Sequence, residues 1–301
     1  MELELALEAC PPVSESLPPH RIVGERAGPA APVCLCLPAM GLAARYYLPF
    51  AEALARALSG TVAVADLRGQ GESEARARRG ARFGYREIVE QDLPALLDAL
   101  AERFRPRPLF VVGHSLGGQL ATLSAVHTHD RLSGLVLIAA GTAHYRTWPH
   151  ADRWRTRLAV SGIRAAATLL PWYPGSVLGF GGDQPRRLMR DWSYNAFTGK
   201  YRCEDSRIDY EVRLAALRLP VLALTIRDDP VAPPGAVSEL LAKLPQSNQQ
   251  RLEMDGVRSD PRWRRHFSWA RTPDTVLDPI VQWIRARVRG REQGSGARAV
   301  A

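Results

Sequence analysis

The run Gly113-His114-Ser115-Leu116-Gly117-Gly118 is where a side chain of this chain is best placed to act as a nucleophile. An apolar run, Pro108–Val112 (PLFVV), precedes it and a small-residue helical pattern, Leu116–Val126, follows. Ser115 therefore falls on a strand-to-helix turn, which imposes strained backbone angles and lifts Oγ above the sheet. Gly113 and Gly117 provide the small size needed where strand and helix pass close together. The Leu116 N–H sits at the start of the helix, where an amide can face a developing oxyanion. A serine hydroxyl is a poor nucleophile at neutral pH, so it needs a base within hydrogen-bond reach. The chemistry would be attack on an acyl carbon with a transient acyl-serine.

Such a turn must be held by a sheet, and the chain supplies one. Val33–Leu37, Thr61–Ala65 (TVAVA), Pro108–Val112 and Leu135–Ala140 (LVLIAA) are short apolar runs that read as buried strands. Between them Arg45–Leu58, Tyr85–Phe104 and Leu116–Val126 have helical periodicity. This alternation predicts a mostly parallel sheet with helices on both faces. It stops at Ala140 and resumes with a strand at Val221–Ile226, a helix at Ala236–Leu244, a strand at Gln250–Met254 and a helix at Asp274–Arg289. Residues 141–218, broken by Pro149, Pro171 and Pro174, read as a helical cap inserted between core parts 1–140 and 219–289. The tail, 290–301, is expected to be disordered. Leu3–Leu7 and Arg21–Glu25 are candidate edge strands.

The chain has 301 residues, 46% hydrophobic and 24% charged, an ordinary globular composition. No basic leader precedes an apolar stretch, and no apolar run approaches membrane-spanning length, so a cytoplasmic protein is expected. Its four cysteines, Cys10, Cys34, Cys36 and Cys203, do not form a disulfide framework. Cys34 and Cys36 read as small buried residues on opposite faces of one strand, unable to bridge. The net charge of +9 is almost all arginine, and no nucleic-acid-binding motif accompanies it. No H-E-x-x-H or C-x-x-C pattern is present, and no metal or cofactor is expected.

On these motifs the chain resembles the α/β-hydrolase superfamily, closest to a poorly characterised bacterial branch with Leu-Pro-Ala-type turns and a helical cap. Asp66-Leu67-Arg68-Gly69-Gln70-Gly71-Glu72-Ser73 resembles its D-x-R-G-x-G-x-S loop. Pro38-Ala39-Met40-Gly41 stands where the family has a His-Gly oxyanion turn, and Arg227-Asp228-Asp229-Pro230 resembles its acid turn. The resemblance implies a serine hydrolase acting on a carboxylic ester or thioester. It also implies the chain order Ser, acid, His. Of seven histidines only His266 follows the acid turn, in an expected loop before the last helix. The acid is Asp228 or Asp229, and the family pattern selects Asp229. By position, the backbone N–H groups of Met40 and Leu116 would form the oxyanion hole. His114 is read as structural.

An acyltransferase or cyclase using the same acyl-enzyme, a non-hydrolytic member and a ligand-binding member are the alternatives. In the 141–218 segment Tyr145, Trp148, Trp172 and Trp192 are candidate substrate contacts, with Trp154 and Tyr173 as further apolar surface. That segment holds thirteen basic residues against seven acidic ones. The excess suggests a small-molecule acyl substrate that is anionic or carrier-bound.

Overall fold

Short extended runs, most of those in the main sheet rich in β-branched residues or leucine, form nine strands among the described residues. They are β1 (His20–Val23), β2 (Val33–Leu37), β3 (Thr61–Ala65), β4 (Leu109–His114), β5 (Leu132–Ile138), β6 (Tyr173–Pro174), β7 (Gly182–Gln184), β8 (Val221–Ile226) and β9 (Gln249–Met254). Seven build one sheet in the order β1-β3-β2-β4-β5-β8-β9. All pair in parallel except β1, which runs antiparallel to β3. The expected edge strand at Arg21–Glu25 is β1, begun one residue earlier. β6 and β7 form a separate two-stranded ribbon. The computed structural model describes residues 17–24, 28, 30–257 and 259–298; Leu3–Leu7 and Cys10 lie outside them.

The helices are α1 (Leu48–Leu58), α2 (Tyr85–Glu87), α3 (Leu93–Phe104), α4 (Leu116–Thr128), α5 (Arg153–Leu169), α6 (Gly175–Leu178), α7 (Arg186–Thr198), α8 (Tyr210–Ala215), α9 (Pro234–Ala242), α10 (Arg262–Ser268) and α11 (Asp274–Arg298). The expected helix Tyr85–Phe104 is α2 and α3 joined by a π-turn over Ile88–Asp92. Pro94 has no N–H to give the Glu90 carbonyl, so the ladder shifts there. Two expectations need correction. His266 lies in α10, not a loop. The last helix runs past Arg289 to Arg298 through the expected disordered tail, because Gly290 lowers helix propensity without supplying a stop.

Period-two alternation sorts the strand side chains into two layers. Val33, Leu35 and Leu37 of β2 pack with Leu97, Leu120 and Leu240 of α3, α4 and α9. Cys34 and Cys36 face the other way, among Phe50, Leu54 and Ile280 of α1 and α11. Helices thus cover both faces. The cysteines share one face, since residues two apart in a strand point the same way; the expectation of opposite faces was an error of period. Both are free thiols, and burial pushes Cys34 up to about 12.

Between β5 and β8 the chain leaves the sheet and forms α5 to α8. Its later part is continuous with the core, burying Leu188, Tyr201, Tyr210 and Leu214 in the layer of α3 and α4. Asp191 of α7 is a polar tie there. Its Oδ2 accepts from the Tyr85 N–H at 3.0 Å and its Oδ1 from the Glu204 N–H at 2.9 Å. Burial raises this carboxyl to about 7, against the opposing pull of those two N–H donors. A raised folded pKa means that the folded state binds the proton more tightly than the unfolded chain. The Asp191 contribution to stability is therefore full below its unfolded value near pH 4 and is lost as pH rises through about 7. Relative to Asp191→Asn, the wild-type Tm should fall between pH 5 and pH 8; a constant difference across that range would show that the group does not titrate there.

Candidate active site

Ser115 stands at the carboxyl end of β4 with φ 50° and ψ −118°, a left-handed conformation that costs a non-glycine residue about 1–3 kcal/mol. Its N–H is held by the Ile138 carbonyl at 3.1 Å, and its own carbonyl accepts from Gly118 and Gln119. The turn works only with small neighbours. A Cβ at Gly117 would stand 2.5 Å from the Pro38 oxygen and 2.6 Å from the Leu37 oxygen, so glycine lets α4 lie against the turn after β2.

The β2 turn presents three amides. The Ala39 N–H donates to Tyr47 Oη at 2.9 Å and the Gly41 N–H donates to Gln70 Oε1 at 2.9 Å. Among the described residues the Met40 N–H between them has no acceptor, nor has the Leu116 N–H. Gln70 comes from the Asp66–Ser73 loop. That loop is braced by Asp66, whose Oδ1 accepts from the Ala44 N–H at 2.6 Å and Oδ2 from the Glu72 N–H at 2.9 Å.

Asp229 and His266 meet behind the serine turn. His266 Nδ1 lies 2.6 Å from Asp229 Oδ2, and both side chains are essentially inaccessible. Asp229 Oδ1 accepts from the Val231 N–H at 2.8 Å and the Ala232 N–H at 3.2 Å. The adjacent Asp228 points outward at φ 58°, its Oδ2 3.9 Å from Arg265 Nη1. The structure thus brings Asp229, not Asp228, to His266. His266 Nε2 is buried and has no hydrogen-bond partner among the described residues. Trp269 steadies α10 by donating Nε1–H to the His266 carbonyl at 3.0 Å.

Ser115, Leu116, Met40 and His266 line one cavity of about 1070 Å³. Its walls are largely apolar, with Ile163 of α5, Phe180, Trp192 and Phe267 among them, and Arg155 is the only one of the thirteen basic residues of 141–218 to reach it. Of the four aromatics expected to contact substrate, Trp148 and Trp192 line the cavity and Tyr145 and Trp172 do not. Tyr145 is turned to arginines instead, with the Arg157 guanidinium 5.8 Å over its ring. Trp148 also ties this segment to the acid turn by donating Nε1–H to the Pro230 carbonyl at 3.0 Å.

Tyr47 was not found from sequence. Its Oη takes the Ala39 N–H and lies 2.6 Å from His114 Nδ1. The His114 ring packs 4.7 Å from that of His266. Burial, and then the neighbouring His266, hold His114 well below the ordinary histidine pKa, so it is neutral. His114 is packing support, as read from sequence, and it links the β2 turn to His266.

A family model, Hydrolase_4 (Serine aminopeptidase, S33), matches residues 28–190, more than half of the chain. The chain belongs to this family. The match takes in the Ser115 turn and stops short of Asp229 and His266. No curated protein matches the chain. Many solved structures do, among them a soluble variant of monoglyceride lipase from Saccharomyces cerevisiae in complex with a substrate analog. It has a TM-score of 0.68 at 13% identity, over 95% of this chain and 98% of that one. The Paleococcus ferrophilus monoacylglycerol lipase has a TM-score of 0.57 at 17% identity, over 89% and 98%. A thermophilic esterase from Thermogutta terrifontis has a TM-score of 0.51 at 21% identity, over 89% and 94%. At such identities the likeness is one of fold. Family and fold together make this an α/β-hydrolase, an enzyme of the hydrolase type. No helix among the described residues is long and apolar enough to cross a membrane.

Proposed function

We propose that the chain is a serine hydrolase that cleaves a carboxylic ester or thioester of an apolar acyl group, through an acyl-enzyme on Ser115. The observation that carries this reading is the unpartnered Nε2 of His266, backed by Asp229 and lining the same cavity as Ser115. On this reading Nε2 takes the Ser115 proton as Oγ bonds to the acyl carbon. Asp229 holds the Nδ1–H tautomer and stabilises the imidazolium. The free amides of Met40 and Leu116 stabilise the oxyanion. The carbonyl then re-forms, and the alcohol or thiol leaves with the proton from Nε2. Water repeats the sequence on the acyl-serine, releasing the acid. Apo geometry is commonly looser than that of the substrate complex, and closure of the Ser115–His266 contact on binding is part of the proposal.

The cap reading of α5–α7 belongs to the same proposal, since Ile163, Phe180 and Trp192 wall the cavity. An aminopeptidase must hold a free α-ammonium group, which calls for a carboxylate. The cavity wall instead carries Arg155 and an apolar lining, which favours an acyl chain. A buried methylene is worth about 0.8 kcal/mol, so each two-carbon extension should raise kcat/KM roughly tenfold until the cavity is full. A panel of p-nitrophenyl esters, matched thioesters and aminoacyl anilides tests this. Turnover confined to the anilides, or no rise with chain length, would reject the acyl-ester reading. Acyl-alcohol product forming in preference to acid on addition of an alcohol would make the enzyme an acyltransferase.

A further inference from the structure

Helix α5 is apolar on two opposite faces. Val160, Ile163 and Ala167 face inward. At 100° per residue, Trp154, Leu158 and Leu169 fall together on the other side, and they are 62%, 66% and 80% exposed. A helix on a protein surface ordinarily turns polar residues to water. The apolar exposure continues beside the cavity: Val177 is 83% and Trp263 57% exposed. Leu170, Leu178 and Trp263 are exposed and also line the cavity. Patches of this kind mark interaction sites.

The charge flanking the patch says what covers it. At the same 100° per residue Arg153, Arg157 and Arg164 lie on one side of the Trp154–Leu158–Leu169 stripe and Arg155 on the other, and Asp152 is the one acidic residue in 150–182. Among the described residues none of these arginines makes an ion pair. Arg155 lies 5.3 Å over the Trp154 ring and Arg164 5.4 Å over the Phe197 ring. A second copy docking symmetrically would set arginines against arginines. A phospholipid surface offers apolar depth for the Trp and Leu side chains and anionic headgroups for the guanidinium groups.

We propose that the outward face of α5, with Val177 and Trp263, docks the protein on a bilayer that carries anionic lipids. The cavity mouth then opens toward the lipid, and an amphiphile passes from membrane to cavity along Leu170, Leu178 and Trp263. The docking reads association and not turnover, so it stands apart from the hydrolase reading.

The test is flotation of the full chain, as Ser115→Ala to prevent consumption of lipid, with vesicles of phosphatidylcholine alone or with one third phosphatidylglycerol. The chain should float with the anionic vesicles and weaken as salt is raised to 1 M, because an arginine beside an anionic surface raises partition about fivefold. The triple change Trp154→Ser, Leu158→Ser, Leu169→Ser should lower partition at least thirtyfold. On the Ser115 background it should leave turnover of a water-soluble short ester and Tm unchanged. Changing Arg153, Arg157 and Arg164 to Gln should abolish the preference for anionic vesicles and provides a second variant should the first not fold. Absence of flotation, or equal flotation of both variants, would overturn the proposal. So would a dimer that the triple change converts to monomer without any vesicle binding, which would assign the face to a second copy.

Discussion

Ser115→Ala should lower kcat by about 10⁶-fold and leave the fold intact, by analogy with other serine triads in which the nucleophile and its base act as a unit. The backbone of the turn is held by the Ile138 carbonyl and by the two amides that bond the Ser115 carbonyl. None of these bonds involves Oγ, so Tm should stay within a degree or two. A fluorophosphonate adduct mapped by mass spectrometry should sit on Ser115. Labelling at Ser73 or Ser124, both buried, would remove Ser115 from the chemistry and with it the proposed mechanism.

Asp229→Asn should cost roughly 10⁴-fold in kcat, because an amide at that position favours the wrong tautomer of His266. The substitution has little room to compensate. One carboxylate oxygen meets Nδ1 and the other takes the Val231 and Ala232 N–H groups, so an amide NH2 would face a donor on one side or the other. Asp228→Asn changes an exposed group beside Arg265 and should cost no more than a few-fold. Steady-state kinetics on one ester substrate ranks the two; the reverse ranking would place the acid one residue earlier.

Features set by neighbours in the chain were legible in the sequence, and features assembled across it were not. The Ser115 turn is local: glycines, strand and helix adjoin it, and all could be read together. His266 was found by its order after the acid turn, although its helix was missed because seven residues after Pro261 are too few to show a period. Asp228 and Asp229 differ by one residue, and what separates them is direction: one turns out at positive φ, the other turns in. Tyr47 carried no signal, and Gln70 only its place inside the Asp66–Ser73 loop. Each acts on the β2 turn from a separate segment, Gln70 reaching Gly41 across 29 residues of chain. The aromatics of 141–218 showed the reverse failure. Their composition suggested a lined cavity, yet Tyr145 and Trp172 stay off it while Trp263 and Phe267, far along the chain, help wall it.

The route from β5 to β8 limits how this enzyme can be recombined. The two strands are parallel neighbours, with Leu135 beside Val221. The chain that leaves the end of β5 at Ile138 must therefore travel back roughly 10 Å before β8 can begin. The stretch around α8 makes that return, with Tyr210 and Leu214 buried in the core layer. α5 and α6 carry no such duty; most of their residues are exposed. A graft from a relative can thus exchange the segment from Arg146 to about Gln184 as a cassette, while α7 stays, since Leu188 and Asp191 hold it to the core. A graft that also takes Tyr201–Leu217 replaces the crossover itself, and with it the Tyr210 and Leu214 side chains that fasten the crossover to the core layer.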